Sequence, residues 1–160
     1  MRPRKCQSTL IFLLKALIPY SRENMMLSFS PNQFFNELEK ASSYKRKTLY
    51  EAARRAEQQG LIERRQQIIS LSAAGKSKVR PYVATKLKND ARLMIIFDVP
   101  EENSTTRQRL RRVLKEWGFK QVQKSVWITD YDHRESVSEL TDLLELNGCI
   151  RLYECSLLYK

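Results

Sequence analysis

Basic and polar residues recur at helical spacing between residues 45 and 58, and two arginines follow shortly after them. Lysine and arginine donate hydrogen bonds to phosphate oxygens, and arginine and glutamine also donate to the edges of bases in the major groove. This pattern predicts a surface that contacts double-stranded DNA. Its candidate residues are Lys45, Arg46, Lys47, Tyr50, Arg54, Gln58, Arg64 and Arg65.

Cysteine and histidine limit the other chemistry available to the chain. The three cysteines are an odd number and have no CxxC spacing, so neither a disulfide framework nor a zinc site is expected. A single histidine, His133, excludes a metalloenzyme with several histidine ligands, and we expect it to lie in a loop or at a helix start. Reduced cysteines favour a cytoplasmic protein.

The positive charge is confined to the first half of the 160 residues. Residues 1–90 hold 18 lysines and arginines against seven acidic residues, whereas residues 91–160 hold 11 of each. This partition predicts one module that faces a polyanion and one that does not. We expect a DNA-binding domain at residues 1–84, a polar linker at 85–90 and a second domain at 91–160.

The order of elements in the first half predicts a winged helix-turn-helix. One helix is expected over Ser8–Ile18, ended by Pro19, and a second begins at Ser30-Pro31. A third is expected from Ser42 or Ser43 to just before Gly60. Two short apolar runs within residues 61–71 then predict a β-hairpin with Arg64 and Arg65 at its tip. The apolar run near the N-terminus is too short to cross a membrane, so no membrane partner is expected.

The second half predicts a ferredoxin-like β-α-β-β-α-β domain, which makes the whole chain an α+β protein. The expected elements are a strand at Arg92–Phe97, a helix over Thr106–Trp117, one or two strands within Phe119–Thr129, a helix over Arg134–Leu146 and a strand at Ile150–Leu158. An unpaired edge of this sheet could join a second copy, so we expect a homodimer formed by the C-terminal domain.

Four motifs in the second half carry a family resemblance. They are Ile96-Phe97-Asp98-Val99-Pro100-Glu101, Arg107 to Leu114, Trp117-Gly118-Phe119 and Gln123-Lys124-Ser125-Val126-Trp127. They resemble the small CRISPR-associated adaptation protein with a ferredoxin-like fold and the PaaX family of repressors, which place a winged helix before such a domain. The first half resembles the winged-helix domains of bacterial regulators through Gln59 to Ile62 and Leu71 to Lys76. The order of modules resembles PaaX more closely, which implies a PaaX-like repressor lacking that family's further C-terminal region.

Asp98 is the residue on which an enzymatic alternative depends. In the nuclease-type relatives, an aspartate at the end of the first strand is the proposed Mg²⁺ ligand, and the resemblance implies a catalytic, metal-binding role for Asp98. A two-fold dimer could then supply two such carboxylates. The residues themselves favour a strand-end turn that leads into Pro100.

Three functions are therefore compared. The favoured one is a dimeric transcriptional regulator, a repressor by resemblance, that binds double-stranded DNA and needs no cofactor. The alternative is a Mg²⁺-dependent nuclease or a CRISPR spacer-adaptation protein. The third is a scaffold whose winged helix binds an acidic protein surface.

Overall fold

The computed structural model describes residues 8–18, 22–156 and 158. The chain divides into two compact units, Met1–Val83 and Ala84–Lys160. Residues 85–90, where the sequence predicts a linker, are hydrogen-bonded within the second unit. The amide of Leu87 donates to the carbonyl of Asp130, and the amide of Asp132 donates to the carbonyl of Thr85, each at 2.8 Å.

The first unit contains five helices and one hairpin among its described residues. The helices are α1 (Thr9–Ala16), α2 (Arg22–Phe29), α3 (Pro31–Lys40), α4 (Arg46–Gln58) and α5 (Ala73–Val79), and a short 3₁₀ turn at Arg80–Tyr82 follows α5. The antiparallel strands are β1 (Ile62–Arg65) and β2 (Ile68–Leu71). Three helices and the hairpin correspond to sequence predictions, whereas α2 and α5 were not predicted. Pro19, the expected end of the first helix, lies outside the described residues.

Helix α4 begins at Arg46 and not at Ser42 or Ser43, because residues 41–45 form the turn between α3 and α4. The hydroxyl of Ser42 donates to the carbonyl of Leu38 at 2.7 Å and accepts from the amide of Tyr44 at 3.3 Å. Ser42 therefore satisfies a backbone carbonyl at the C-terminal end of α3 and does not cap α4. Leu49, Ala52 and Ala56 of α4 are completely buried in the core of the unit, as their helical spacing predicts.

Helix α2 takes the place of a third strand beside the hairpin. The side-chain amide of Asn24 donates to the carbonyl of Ile69 at 3.0 Å, and the amide of Ile69 donates to the hydroxyl of Ser28 at 2.6 Å. Both backbone groups of Ile69 are thus satisfied by side chains, as a neighbouring strand would otherwise do. Asn24 is buried, so its amide contributes to the stability of the helix–hairpin contact.

The second unit is a four-stranded antiparallel sheet with two helices. Its strands are β3 (Arg92–Phe97), β4 (Lys120–Gln123), β5 (Val126–Thr129) and β6 (Ile150–Cys155), and its helices are α6 (Ser104–Glu116) and α7 (Arg134–Leu143). A 3₁₀ turn at Glu101–Asn103 precedes α6. The strands lie in the order β4-β5-β3-β6. The α+β class and the ferredoxin-like β-α-β-β-α-β order are therefore confirmed.

Two elements of the second unit end earlier than predicted. Helix α7 stops at Leu143 because Glu145 adopts a left-handed backbone with φ 55°, so the expected end at Leu146 is wrong. Strand β6 ends at Cys155, before the expected Leu158.

The two faces of this sheet differ. Along β3, Leu93, Ile95 and Phe97 are buried in one core with residues of both helices. Because neighbouring residues of a strand point to opposite faces, Met94 and Ile96 lie on the other face. Both helices thus cover the same side of the sheet. No helix among the described residues is long and apolar enough to cross a membrane.

Candidate DNA interface

Helix α4 and the residue that precedes it present four of the predicted contact residues to solvent. The buried stripe of α4 fixes which of its faces points outward. Lys47, Arg54 and Gln58 lie opposite that stripe and are exposed. Lys45 is exposed at the residue that precedes the helix. Within the described residues none of these four side chains forms a hydrogen bond or an ion pair, which leaves their donors available to a ligand.

Arg46 and Tyr50 are held against α3 instead. The guanidinium of Arg46 donates to Asn32 Oδ1 at 2.6 Å and to Asn36 Oδ1 at 3.0 Å. The hydroxyl of Tyr50 donates to the same Asn32 oxygen at 3.1 Å, and its ring stacks on Phe35 with centroids 3.9 Å apart. The main role of Arg46 and Tyr50 is therefore structural: they fix the angle between α3 and α4. Arg46 retains guanidinium protons for a phosphate after these bonds are made.

The carboxylate of Glu39 provides the cap of α4. One of its oxygens accepts from the amide of Arg46 at 2.9 Å, and the side chain of Lys45 makes no capping bond. A negative charge at this end of a helix is favourable, since the first amides are otherwise unsatisfied. The helix is thus fixed at its first turn by α3, as a helix that docks into a groove requires.

The hairpin tip is Gln66-Gln67, and the prediction that Arg64 and Arg65 form the tip is wrong. Both glutamines have left-handed backbones, with φ 46° and 67°, which a two-residue turn between twisted strands demands. The arginines precede the tip at the end of β1. Arg64 donates to the carbonyl of Gln67 at 3.2 Å, and Arg65 pairs with Glu63 at 2.9 Å. Both arginines remain exposed beside the tip.

An open groove of about 540 Å³ separates α4 from the hairpin. Apolar side chains of the helices and strands line it, among them Leu27, Phe35, Ile62 and Ile69. Its charged lining comprises Arg54 and Arg64 together with Glu51, Glu57 and Glu63. Sequence reasoning missed the three glutamates, although Glu51 and Glu57 flank Arg54 at a spacing of three residues on one side of the helix. The groove brings Arg54 and Arg64, which are predicted from different elements, to the same surface.

Asp98 lies alone at the end of β3. Its side chain is exposed, and its amide donates to the carbonyl of Cys149 at 2.9 Å. Among the described residues, no group of three or more histidine, cysteine, aspartate or glutamate side chains could hold a metal ion. A single carboxylate is a poor site for Mg²⁺, which takes one or two carboxylates together with phosphate oxygens and waters. One copy supplies the single carboxylate of Asp98 at this place, so the metal of the nuclease alternative would need a further carboxylate from a second copy.

The second unit has a recognisable family signature. Residues 89–160 match the family described as PaaX protein central Cas2-like domain. This match supports a PaaX-like family for the chain. The match covers the second unit only. The role of the first unit therefore rests on the geometry of its own helices and hairpin. No curated protein matches the chain.

His133 occupies a structural position in the Cas2-like domain. It precedes the first residue of α7, as the sequence predicts, but it is only 1% exposed. Its ring packs against those of Trp117 and Phe119, with centroids 5.9 Å and 5.3 Å away. No local pattern in the sequence indicates this burial, because the aromatic residues come from distant positions.

Proposed function

We propose that this protein is a dimeric transcriptional regulator that binds double-stranded DNA through α4 and the adjoining hairpin. The observation that carries the proposal is the outward row of α4, where Lys47, Arg54 and Gln58 stand exposed without partners among the described residues. Arginine and glutamine make bidentate contacts with guanine and adenine, respectively, in the major groove. Arg64 and Arg65 beside the hairpin tip are suited to neighbouring phosphates.

The charge distribution supports a polyanionic partner over an acidic protein surface. The first 90 residues carry the entire excess of 11 positive charges. In addition, the buried stripe of α4 is narrow and contains two alanines, so the helix packs close to the core and keeps its polar side outward. Its shape is that of a helix which enters a groove, as in other helix-turn-helix domains.

The Cas2-like domain offers a surface for dimerisation. Met94, Ile96 and Ile128 lie on the sheet face opposite α6 and α7, and Tyr153 pairs with Met94 on the same face. Two such faces, buried against each other, would join two copies by a two-fold axis. A two-fold dimer presents two winged helices to a pseudo-palindromic site. We further propose repression, which rests on the resemblance of the sequence motifs to the PaaX family of repressors.

The test is a titration of labelled DNA with the whole chain, using fragments that include the region upstream of its own coding sequence. We expect one fragment to be bound in preference to the others and to remain intact with or without Mg²⁺. Arg54→Ala should weaken specific binding by about 1–3 kcal/mol, since alanine cannot make the bidentate bonds of arginine to a base.

Arg55→Ala is the matched control, because Arg55 lies on the same helix beside Arg54 and is exposed. Arg55 does not line the groove, and its Nε donates to the carbonyl of Glu51 at 3.3 Å. Arg55→Ala should therefore weaken DNA binding only slightly, and to the same extent for every fragment, because it removes one positive charge from α4. Equal weakening by both variants, or equal binding of all fragments by the unaltered chain, would contradict specific recognition by α4.

A further inference from the structure

The net neutrality of residues 91–160 conceals two segments of opposite charge. Residues 104–125 hold seven lysines and arginines and one acidic residue, whereas residues 126–155 hold two basic and seven acidic residues. The first segment comprises α6 and β4, and the second comprises β5, α7 and β6. Basic side chains are thus concentrated on one helix and its adjoining hairpin.

Four of these cations form what we call the α6 basic surface. It consists of the exposed residues Arg109, Arg112, Lys115 and Lys124. The first three follow one another at a spacing of three residues, which places them in a row along the helix. Arg111 attaches the β4–β5 turn to this helix, since its guanidinium donates to the carbonyl of Lys124 at 3.1 Å.

This arrangement is unfavourable for an isolated helix. Helix α6 has no acidic residue in its first turn, where the helix dipole favours negative charge. Like charges three residues apart also destabilise a helix, by about 0.2–0.5 kcal/mol a pair. Within the described residues none of these four cations forms an ion pair. A partner of opposite charge would relieve this repulsion.

The spacing and composition of the α6 basic surface fit a phosphate backbone. The row from Arg109 to Lys115 extends about 9 Å along the helix axis, at 1.5 Å per residue. One strand of DNA carries about three phosphates over that axial distance. Protein interfaces usually have aromatic or large apolar anchors at their centre. Among the described residues of α6, no large hydrophobic side chain is exposed, although Val122 of the neighbouring β4 is 57% exposed.

We propose that the α6 basic surface is a second DNA-contacting surface, which binds the phosphate backbone without reading sequence. This inference rests on the proposed function, because it assigns a further contact to the same DNA ligand. It gives the neutral Cas2-like domain a share of the binding free energy. The alternative occupant would be the acidic side of a second copy.

The experiment measures the DNA affinity of the whole chain across a range of salt concentrations. Removal of one phosphate-binding cation should reduce the slope of log K against log salt concentration by about 0.9. We therefore expect Arg109→Gln/Arg112→Gln to lower that slope by roughly 2 and to weaken specific and non-specific DNA to the same extent.

The matched control is Lys86→Gln/Lys88→Gln. It removes the same charge from exposed residues of the second unit that precede β3 and lie outside the α6 basic surface. Equal slopes for the variant and the control would overturn the inference. A change in sedimentation of the DNA-free α6 variant, with its salt slope unaltered, would overturn it in favour of a contact between copies.

Failure of the proposed function gives a different result. If the unaltered chain bound no DNA, or if Arg54→Ala bound as well as the unaltered chain, recognition by α4 would be wrong. If Arg54→Ala abolished specific binding while the α6 variant kept its slope, only the second surface would be wrong.

Discussion

At the scale of single residues, Gly75 shows how closely the elements of the first unit approach one another. A Cβ atom at this position would lie 1.9 Å from the backbone oxygen of Leu61. That oxygen also accepts from the amide of Ser72 at 3.0 Å, and the hydroxyl of Ser72 accepts from the amide of Gly75 at 3.1 Å. Only glycine therefore allows the start of α5 to close against the hairpin.

Gly75→Ala should destabilise the first unit, because the methyl group meets backbone and not a movable side chain. Overpacking of this kind costs about 1–3 kcal/mol, which outweighs the gain of about 1 kcal/mol in helix propensity. Thermal unfolding followed by far-UV circular dichroism measures the destabilisation. The fluorescence transition of Trp117 and Trp127, both in the second unit, should stay unchanged. Ala74→Ser, at an exposed neighbour, is the control, and equal stability of the two variants would contradict the close approach.

Asp98 is a residue whose removal should change little. Its carboxylate is exposed, and in the described part of one copy it belongs to no group of three or more histidine, cysteine, aspartate or glutamate side chains that could hold a metal ion. We expect Asp98→Ala to bind DNA within about twofold of the unaltered chain, as is usual for a surface substitution. Incubation of DNA with Mg²⁺ and either protein should leave the DNA intact. Cleavage by the unaltered chain that Asp98→Ala abolishes and Glu101→Ala retains would establish the nuclease alternative.

At the scale of elements, the β1–β2 hairpin contains a turn that its residues disfavour. Gln66 and Gln67 both adopt left-handed backbones, a conformation for which Asn-Gly is the preferred pair. Gln66→Asn/Gln67→Gly should therefore stabilise the first unit by roughly 0.5–2 kcal/mol. The same dichroism melt tests this. A lower melting temperature would mean that the glutamine side chains make a contribution of their own, and Gln59→Asn, outside the turn, serves as the control.

The elements that the sequence predicts correctly are those with a local signal. Strand β3 has the predicted bounds because its apolar run ends shortly before a proline, and α4 shows its buried stripe in the spacing of Leu49, Ala52 and Ala56. Helix α2 has no such signal, since it is fixed by hydrogen bonds that join Asn24 and Ser28 to Ile69, more than 40 residues away. In the candidate site, too, only the features with a local sequence signal could be predicted. The exposure of Arg54 follows from periodicity, whereas the bonds of Arg46 and Tyr50 to Asn32 depend on how two helices cross.

At the scale of the whole molecule, charge and apolar surface assign different proposed roles to the two units: DNA binding to the first and dimerisation to the second. The first half carries the net charge, and the second carries a sheet with one face that its own helices leave uncovered. Met94 lies near the middle of that face, opposite Ile128 on β5 and Tyr153 on β6. A regulator that reads a two-fold site needs such a face to be buried between copies.

Met94→Arg should therefore convert the proposed dimer into a monomer, because an arginine at the centre of that interface would be buried without a partner of opposite charge. Sedimentation velocity measures the change, and a DNA fragment with two half-sites should then be bound in two separate steps of lower affinity. Ser138→Arg adds the same charge at an exposed position of α7 and should remain dimeric. A Met94→Arg dimer with an unaltered sedimentation coefficient would place the contact elsewhere, first of all at the free edge of β4 or β6, where backbone pairing would tolerate the arginine.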